Sequence, residues 1–229
     1  MSGTSSLLGP EQNNGPEGIA LESNGDILVT DGGTQSILRL SPAGKVVQRI
    51  GGANGIFTHL GHIAIDSSGN IYVAEDSANV IQKFLPSGQR IGAWKRDKGN
   101  DPDQWDHPET IAMRADGTLV VEDWGNRRIQ VLSPDGHTLF SFAGTGLGTA
   151  GLCVDRAGNI YQADYKLHHV QKFAPSGALL SVFSNDAGER LFNEGPTSIA
   201  VDEHGDLYAA DGTTVVKYSQ NGRMLARWR

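Results

Sequence analysis

The sequence predicts an all-β fold, a β-propeller of four-stranded antiparallel blades, on three observations. One segment recurs five times, as IALESNGDILVTD (19–31), IAIDSSGNIYVAE (63–75), IAMRADGTLVVED (111–123), LCVDRAGNIYQAD (152–164) and IAVDEHGDLYAAD (199–211), with starts 44, 48, 41 and 47 residues apart. A second block follows each copy, from ILRLSPAGKVVQRI in the first to VVKYSQNGRMLARW in the fifth. The 30 glycines among 229 residues are about twice the usual ~7% share, and helix-favouring runs are nearly absent. A period near 45 residues, four strand-like runs per period and no helical segment between them is the pattern of a propeller blade.

Each unit reads, in order, as four strands of about five residues. The second residue of the first strand is Ala20, Ala64, Ala112, Cys153 and Ala200, always small, as suits a strand crowded near a central axis. Cys153 therefore reads as a packing residue rather than a nucleophile, with no base organised beside it. A turn ending in glycine leads to the second strand, where glycine supplies the positive φ of a tight hairpin. That strand ends on a shared carboxylate, Asp31, Glu75, Asp123, Asp164 and Asp211. A carboxylate present in every copy most simply accepts N–H groups of the following loop. The third strand reaches a turn that is generally Pro-x-Gly. The fourth carries Ile50, Trp94, Phe142, Phe183 or Trp228 six residues after the glycine, a large plug between neighbouring sheets.

The segments GNIYVAEDSANVIQKFLPSG (69–88) and DGTLVVEDWGNRRIQVLSPDG (116–136) resemble NHL repeats, and the resemblance covers about 16–229. Only the third copy keeps the Asn and Arg of the N-x-R-I wording, as Asn126 and Arg128; Ser36, Val80 and His169 stand at the Arg position elsewhere, and the fifth copy lacks the site. The resemblance implies a propeller, usually of six blades, whereas five units are present. A closed five-bladed ring is expected, with an incomplete six-bladed propeller as the alternative. The single domain spans 16–229, with repeats at about 16–59, 60–107, 108–149, 150–195 and 196–229, and residues 1–15, with Leu7 and Leu8, form an extension placed to help close the ring. The fold hosts protein-binding, RNA-binding and enzymatic members, so it does not set the function.

A net charge of −7 disfavours nonspecific nucleic-acid binding, and Asp97, Asp101, Asp103 and Asp106 make one connector acidic. A protein or peptide partner is expected instead, with a monomer if five blades close. A single cysteine excludes an intramolecular disulfide. With no basic-then-apolar leader and no apolar run near the roughly 20 residues of a membrane span, the expectation is a soluble chain compatible with the cytoplasm.

Strand direction puts the first-to-second and third-to-fourth turns on one face, and these are nearly interchangeable. The second-to-third loops and the connectors between units lie on the other face and differ from copy to copy, as grafted ligand sites on a repeat frame do. Two groups there break the repeat. Glu17, His62 and Glu109 precede first strands and point toward the channel mouth, with His59 and His107 in the entering connectors. His and carboxylate converging there suit a divalent metal. The resemblance adds that some NHL-like lyases, the streptogramin-inactivating and peptide-amidating kinds, use metal and His chemistry at this mouth. The second group is Trp124, Arg127, Tyr165 and His168 after the shared carboxylates of the third and fourth copies, with Trp105 in the connector between the second and third. Exposed Trp and Arg are typical anchors of a protein or peptide interface.

No complete set of nucleophile, base and orienting group is present. The leading expectation is therefore a non-catalytic scaffold binding a protein, peptide or small ligand on its variable face through the second group. The rival is a metal-assisted lyase or hydrolase using Glu17, His62, His107 and Glu109, with a divalent ion in the channel. A third reading is an isolated or engineered propeller without a ligand of its own.

Overall fold

The computed structural model describes residues 15–52, 55–144, 148–183, 192 and 194–229. The expected contribution of residues 1–15 to ring closure falls, Gly15 apart, outside them. The chain divides into two compact units, Met1–Gly99 with Gln104–Glu109, and Asn100–Asp103 with Thr110–Arg229.

The first unit holds two blades. The first is β1 (Pro16–Leu21), β2 (Ile27–Asp31), β3 (Ser36–Leu40) and β4 (Val46–Gly51), and the second is β5 (Ile63–Ile65), β6 (Ile71–Glu75), β7 (Val80–Phe84) and β8 (Arg90–Lys95). The second unit holds three, except that Pro108 and Glu109 at the start of the third blade belong to the first unit. The three blades are β9 (Pro108–Met113), β10 (Leu119–Asp123), β11 (Arg128–Leu132) and β12 (Thr138–Ala143); β13 (Thr149–Val154), β14 (Ile160–Asp164), β15 (His169–Phe173) and β16 (Leu179–Phe183); and β17 (Pro196–Val201), β18 (Leu207–Asp211), β19 (Thr214–Tyr218) and β20 (Met224–Trp228). In every sheet, sequence neighbours are spatial neighbours. Five four-stranded antiparallel sheets of this order are the blades of a β-propeller, and the single helical turn among the described residues is Trp124–Asn126.

Local chemistry explains the regularity. Gly25, Gly69, Gly117, Gly158 and Gly205, one per blade, all have φ between 77° and 87°, a region that favours glycine. The second strands of the first four blades are buried on both faces, so they read as apolar runs capped by a carboxylate. In the first unit Leu28, Ile37, Ile50, Phe57, Leu60, Ile63, Ile71, Val73 and Phe84 form one core. In the second, one core centres on Tyr161, Val170, Phe183, Phe192 and Tyr218, and another on Val120, Ile129, Val131, Leu152, Ile160 and Phe173. Burying one such side chain contributes about 1.5–3 kcal/mol. The fourth-strand residues plug these cores as expected at Ile50 and Phe183, and the Phe142 ring lies 5.0 Å from that of Phe173 in the next blade. Cys153 packs against the fourth-blade core, and burial pushes its thiol far above the ordinary thiol range.

Two recurrent irregularities position the loops. The register shifts between Pro16 and Gly18, between Thr149 and Gly151, and between Pro196 and Ser198, so Glu17, Ala150 and Thr197 are the extra residues of β-bulges. The other is a left-handed residue four positions after the shared carboxylate, at Gln35, Asn79, Arg127 and His168, with φ of 49–54°. No helix among the described residues is long and apolar enough to cross a membrane.

Candidate functional site

The shared carboxylates do what a repeated residue suggests. Asp31 Oδ1 accepts the Gly33 N–H at 3.1 Å, Glu75 Oε2 accepts the Thr58 N–H at 2.7 Å, Asp164 Oδ1 accepts those of Lys166 and Leu167 at 2.9 Å, and Asp211 Oδ1 accepts those of Glu194 and Gly195. Asp123 instead takes side-chain donors, Asn126 Nδ2 at 2.9 Å, Arg128 Nε at 2.7 Å and Gln130 Nε2 at 3.0 Å. These groups hold the loops on which the variable residues sit.

The left-handed residues extend that frame. Gln35 Oε1 accepts the Leu60 N–H at 3.2 Å, Asn79 Oδ1 accepts the His107 N–H at 3.0 Å, and His168 Nδ1 lies 3.2 Å from the Phe192 carbonyl oxygen. In three blades this side chain therefore pins a connector. Arg127 occupies the same position, is exposed, and among the described residues its guanidinium makes no such bond. Sequence comparison missed this equivalence, because the shared feature is a backbone angle and the four side chains differ.

Of the aromatic and basic group, Trp124 and Tyr165 are exposed, and Lys166 Nζ stands 5.7 Å from the centre of the Tyr165 ring. His168 is partly buried and engaged with Phe192. Trp105 is fully buried: its indole N–H donates to the Asn79 carbonyl at 2.7 Å and Arg96 stacks on it at 4.3 Å. Trp105 is thus removed from the accessible surface and packs the connector, because an indole on that strap finds both an apolar bed and a carbonyl acceptor.

The acidic and imidazole group lies in the first unit. Glu109 is partly buried at the second residue of β9, and Glu17 is placed by the β1 bulge. Bulges re-aim side chains in this way near functional sites. His59 Nδ1 stands 2.7 Å from Asp76 Oδ1, and His107 Nδ1 stands 2.5 Å from Asp106 Oδ1, to which Lys98 also pairs at 2.9 Å. Burial raises the Glu109 carboxyl above its ordinary range, the negative charges of Asp76 and Glu17 raise it further, and His107 and His59 partly offset them. The structure thus brings Glu17, Glu109 and His107 into one electrostatic neighbourhood and adds His59 and Asp76. At His62, burial lowers the imidazole to about 4, so it is neutral at physiological pH.

Among the described residues no group of three His, Cys, Asp or Glu side chains stands close enough to hold a metal ion. Glu17, His62, His107 and Glu109 do not form such a group among the described residues. What the arrangement offers is acid–base chemistry: a carboxyl biased toward its protonated form in the neighbourhood of two imidazoles, of which His107 is hydrogen-bonded to Asp106 and His59 stands close to Asp76 without a hydrogen bond.

Residues 13–40 match the NHL repeat family. The chain is 34% identical over 88 residues, 34% of its length, to peptidyl-alpha-hydroxyglycine alpha-amidating lyase 1 of Drosophila melanogaster. It is 27% identical over 231 residues, 93% of its length, to peptidyl-glycine alpha-amidating monooxygenase A of Xenopus laevis. It spans 16% and 24% of the lengths of these two curated relatives. A solved streptogramin B lyase superposes with a TM-score of 0.72 at 18% identity, over 93% of this chain and 68% of that one, a likeness of fold. The recurrent segment and the five sheets agree: the chain is a β-propeller whose residues 13–40 match the NHL repeat.

Proposed function

We propose that the protein binds a small polar ligand at the acidic and imidazole group of the first unit and acts on it by proton transfer, as a lyase. The observation that carries this reading is Glu109, a carboxyl biased toward protonation by burial and by Asp76 and Glu17. An elimination needs one group to deliver a proton to the departing atom and another to remove one from the substrate. Glu109 supplies the donor, and the imidazole of His107, hydrogen-bonded to Asp106, or that of His59 supplies the acceptor. The names of the Drosophila relative and of the solved streptogramin B lyase support the reaction class, and they select the first substrates to try, a peptidyl-α-hydroxyglycine and a streptogramin B. Turnover of either is expected to be lost in Glu109→Gln and retained in Trp124→Ala. Absence of turnover in the unsubstituted protein with both substrates removes this reading.

The exposure of Trp124 and Tyr165, with the unengaged guanidinium of Arg127, favours a second reading, the non-catalytic platform for a protein or peptide. Partner capture that Trp124→Ala and Arg127→Ala abolish, while Glu109→Gln leaves it intact, selects this reading over the first.

A further inference from the structure

Within each compact unit, neighbouring blades also meet at an outer corner, where the fourth strand of one faces the third-to-fourth turn of the next. The residue four places after the turn glycine sits at this corner: Gln48 in the first blade, Phe140 in the third and Ser181 in the fourth. Each is the cross-strand partner of the same third-strand position, Arg39, Val131 and Lys172. Gln48 closes its corner by donating an Nε2–H to the Ser87 carbonyl in the turn of the second blade at 2.7 Å. Phe140 closes its corner by packing against the core that Ile160 and Phe173 of the fourth blade help to form.

Ser181 is too short to do either. Between the fourth and fifth blades, both in the second unit, a cavity of about 300 Å³ is left. Phe183, Leu180 and Val182 give it an apolar side, and Lys172, Ser181, Gln220 and Asn221 a polar one. Lys172 brings an ammonium whose side chain is 14% exposed. In the fifth blade its counterpart Lys217 donates to Asp202 at 3.1 Å and pairs with Asp206 at 2.9 Å. In the fourth blade Asn159 stands where Asp206 does, and Lys172 Nζ lies 3.9 Å from Asp155 Oδ2, outside hydrogen-bonding reach. That oxygen already accepts Asn159 Nδ2 at 2.8 Å and the Tyr161 hydroxyl at 3.2 Å. The ammonium rests over the Tyr161 ring at 5.0 Å, and no side chain or carbonyl among the described residues accepts a hydrogen bond from it.

We propose that this corner binds a small carboxylate with an apolar body, the carboxylate taken by Lys172 with the carboxamides of Gln220 and Asn221, and the body laid on Phe183, Leu180 and Val182. A cavity of this size suits a small molecule. A largely buried ammonium that makes no hydrogen bond is completed by an anion, and charge-assisted bonds of that kind are the strong ones. The site lies in the second unit and shares no residue with the acidic and imidazole group of the first.

The test is a titration of the protein with phenylacetate, followed by NMR at the backbone amides of Ser181 and Asn221. Phenethyl alcohol and acetate, which carry only the ring or only the carboxylate, are the comparison probes. Saturable shifts at both amides are expected with phenylacetate, and binding weaker by about tenfold or more with either comparison probe. Ser181→Gln and Ser181→Phe put into this corner the side chains that close the other two, and each should weaken phenylacetate binding by about tenfold or more. Ser181 is exposed, so both variants are expected to keep the remaining amide resonances in place, and two plugs of different chemistry keep this arm readable if one alters the fold. Lys172→Met should bring the affinity for phenylacetate down to that for the alcohol, and the alcohol itself reads the same charge without a substitution. The proposal is overturned if phenylacetate causes no saturable shift at these amides, if its binding survives both plugs, or if the alcohol binds as tightly as the acid. A folded Lys172→Met that binds phenylacetate as the parent does overturns it as well.

Discussion

Arg128 Nε stands 2.7 Å from Asp123 Oδ2 in the third blade, and nothing takes that place in the fourth, where Asp164 Oδ2 and His169 Nε2 are buried without a hydrogen-bond partner among the described residues. The two pairs occupy the same register, Asp123 opposite Arg128 and Asp164 opposite His169. The guanidinium also donates to the carbonyls of Asn100 and Asp101 at 2.9 Å, so it ties strand and connector together. An imidazole is too short to do the same.

Restoring the longer side chain should satisfy the orphaned oxygen. His169→Arg is expected to raise unfolding free energy by about 1 kcal/mol, and Arg128→Ala to lower it by about 2 kcal/mol, since Asp123 keeps Asn126 and Gln130 as donors. Urea denaturation of the two variants checks both signs.

Trp105 and Trp124 should separate sharply under truncation. Trp105→Ala removes a fully buried ring and the donor to Asn79, with an expected cost of about 3–5 kcal/mol. Trp124→Ala is expected to stay within about 1 kcal/mol of the parent, as for an exposed position. Equal losses in the same denaturation experiment would make Trp124 a packing residue and remove the basis of the platform reading.

His62 imposes a pH dependence of definite sign. Its folded-state value of about 4 lies below the ordinary 6.5, so between these limits the unfolded chain binds the proton that the folded one refuses. Its contribution is fully present above about pH 6.5 and is lost as pH falls toward 4, with a total on the order of 3 kcal/mol. Stability measured from pH 7 to pH 4 should fall less steeply in His62→Gln than in the parent.

Glu109 acts in the opposite direction. Its carboxyl is raised, so the folded state prefers the proton; the contribution is present below the ordinary value of 4.5 and is lost as pH rises through the folded-state value. Glu109→Gln is expected to be more stable than the parent at pH 7, with the difference vanishing near pH 4. If the variant is the less stable at pH 7, the carboxylate is a favourable charge there and the proton-donor assignment to Glu109 falls.

Much of the frame was legible in particular residues. The five turn glycines, the five carboxylates and the small residue of each first strand recur because each serves a local need, a positive φ, a loop donor or a narrow space. The site was less legible. The likeness of Gln35, Asn79, Arg127 and His168 lies in a backbone angle, and the fate of Trp105 depended on a carbonyl of Asn79, 26 residues away. Glu17 and Glu109 stood out as departures from the repeat, but their joint effect, with Asp76 added to the group, required residues far apart in sequence to be brought together within the first unit. The absence of a metal-holding group among the described residues is equally a matter of distances.

Blade count, strand order and turn chemistry follow from periodicity, because a four-stranded antiparallel unit is specified by hydrophobic alternation and glycine spacing within about 45 residues. Burial, protonation and the covering of faces depend on groups brought together from distant parts of the chain. Ile19 and Ile63 carry the same side chain at the same repeat position, yet one is 70% exposed and the other 5%. Ile63 packs into a core shared with the preceding blade, and a blade's own sequence does not encode such a neighbour.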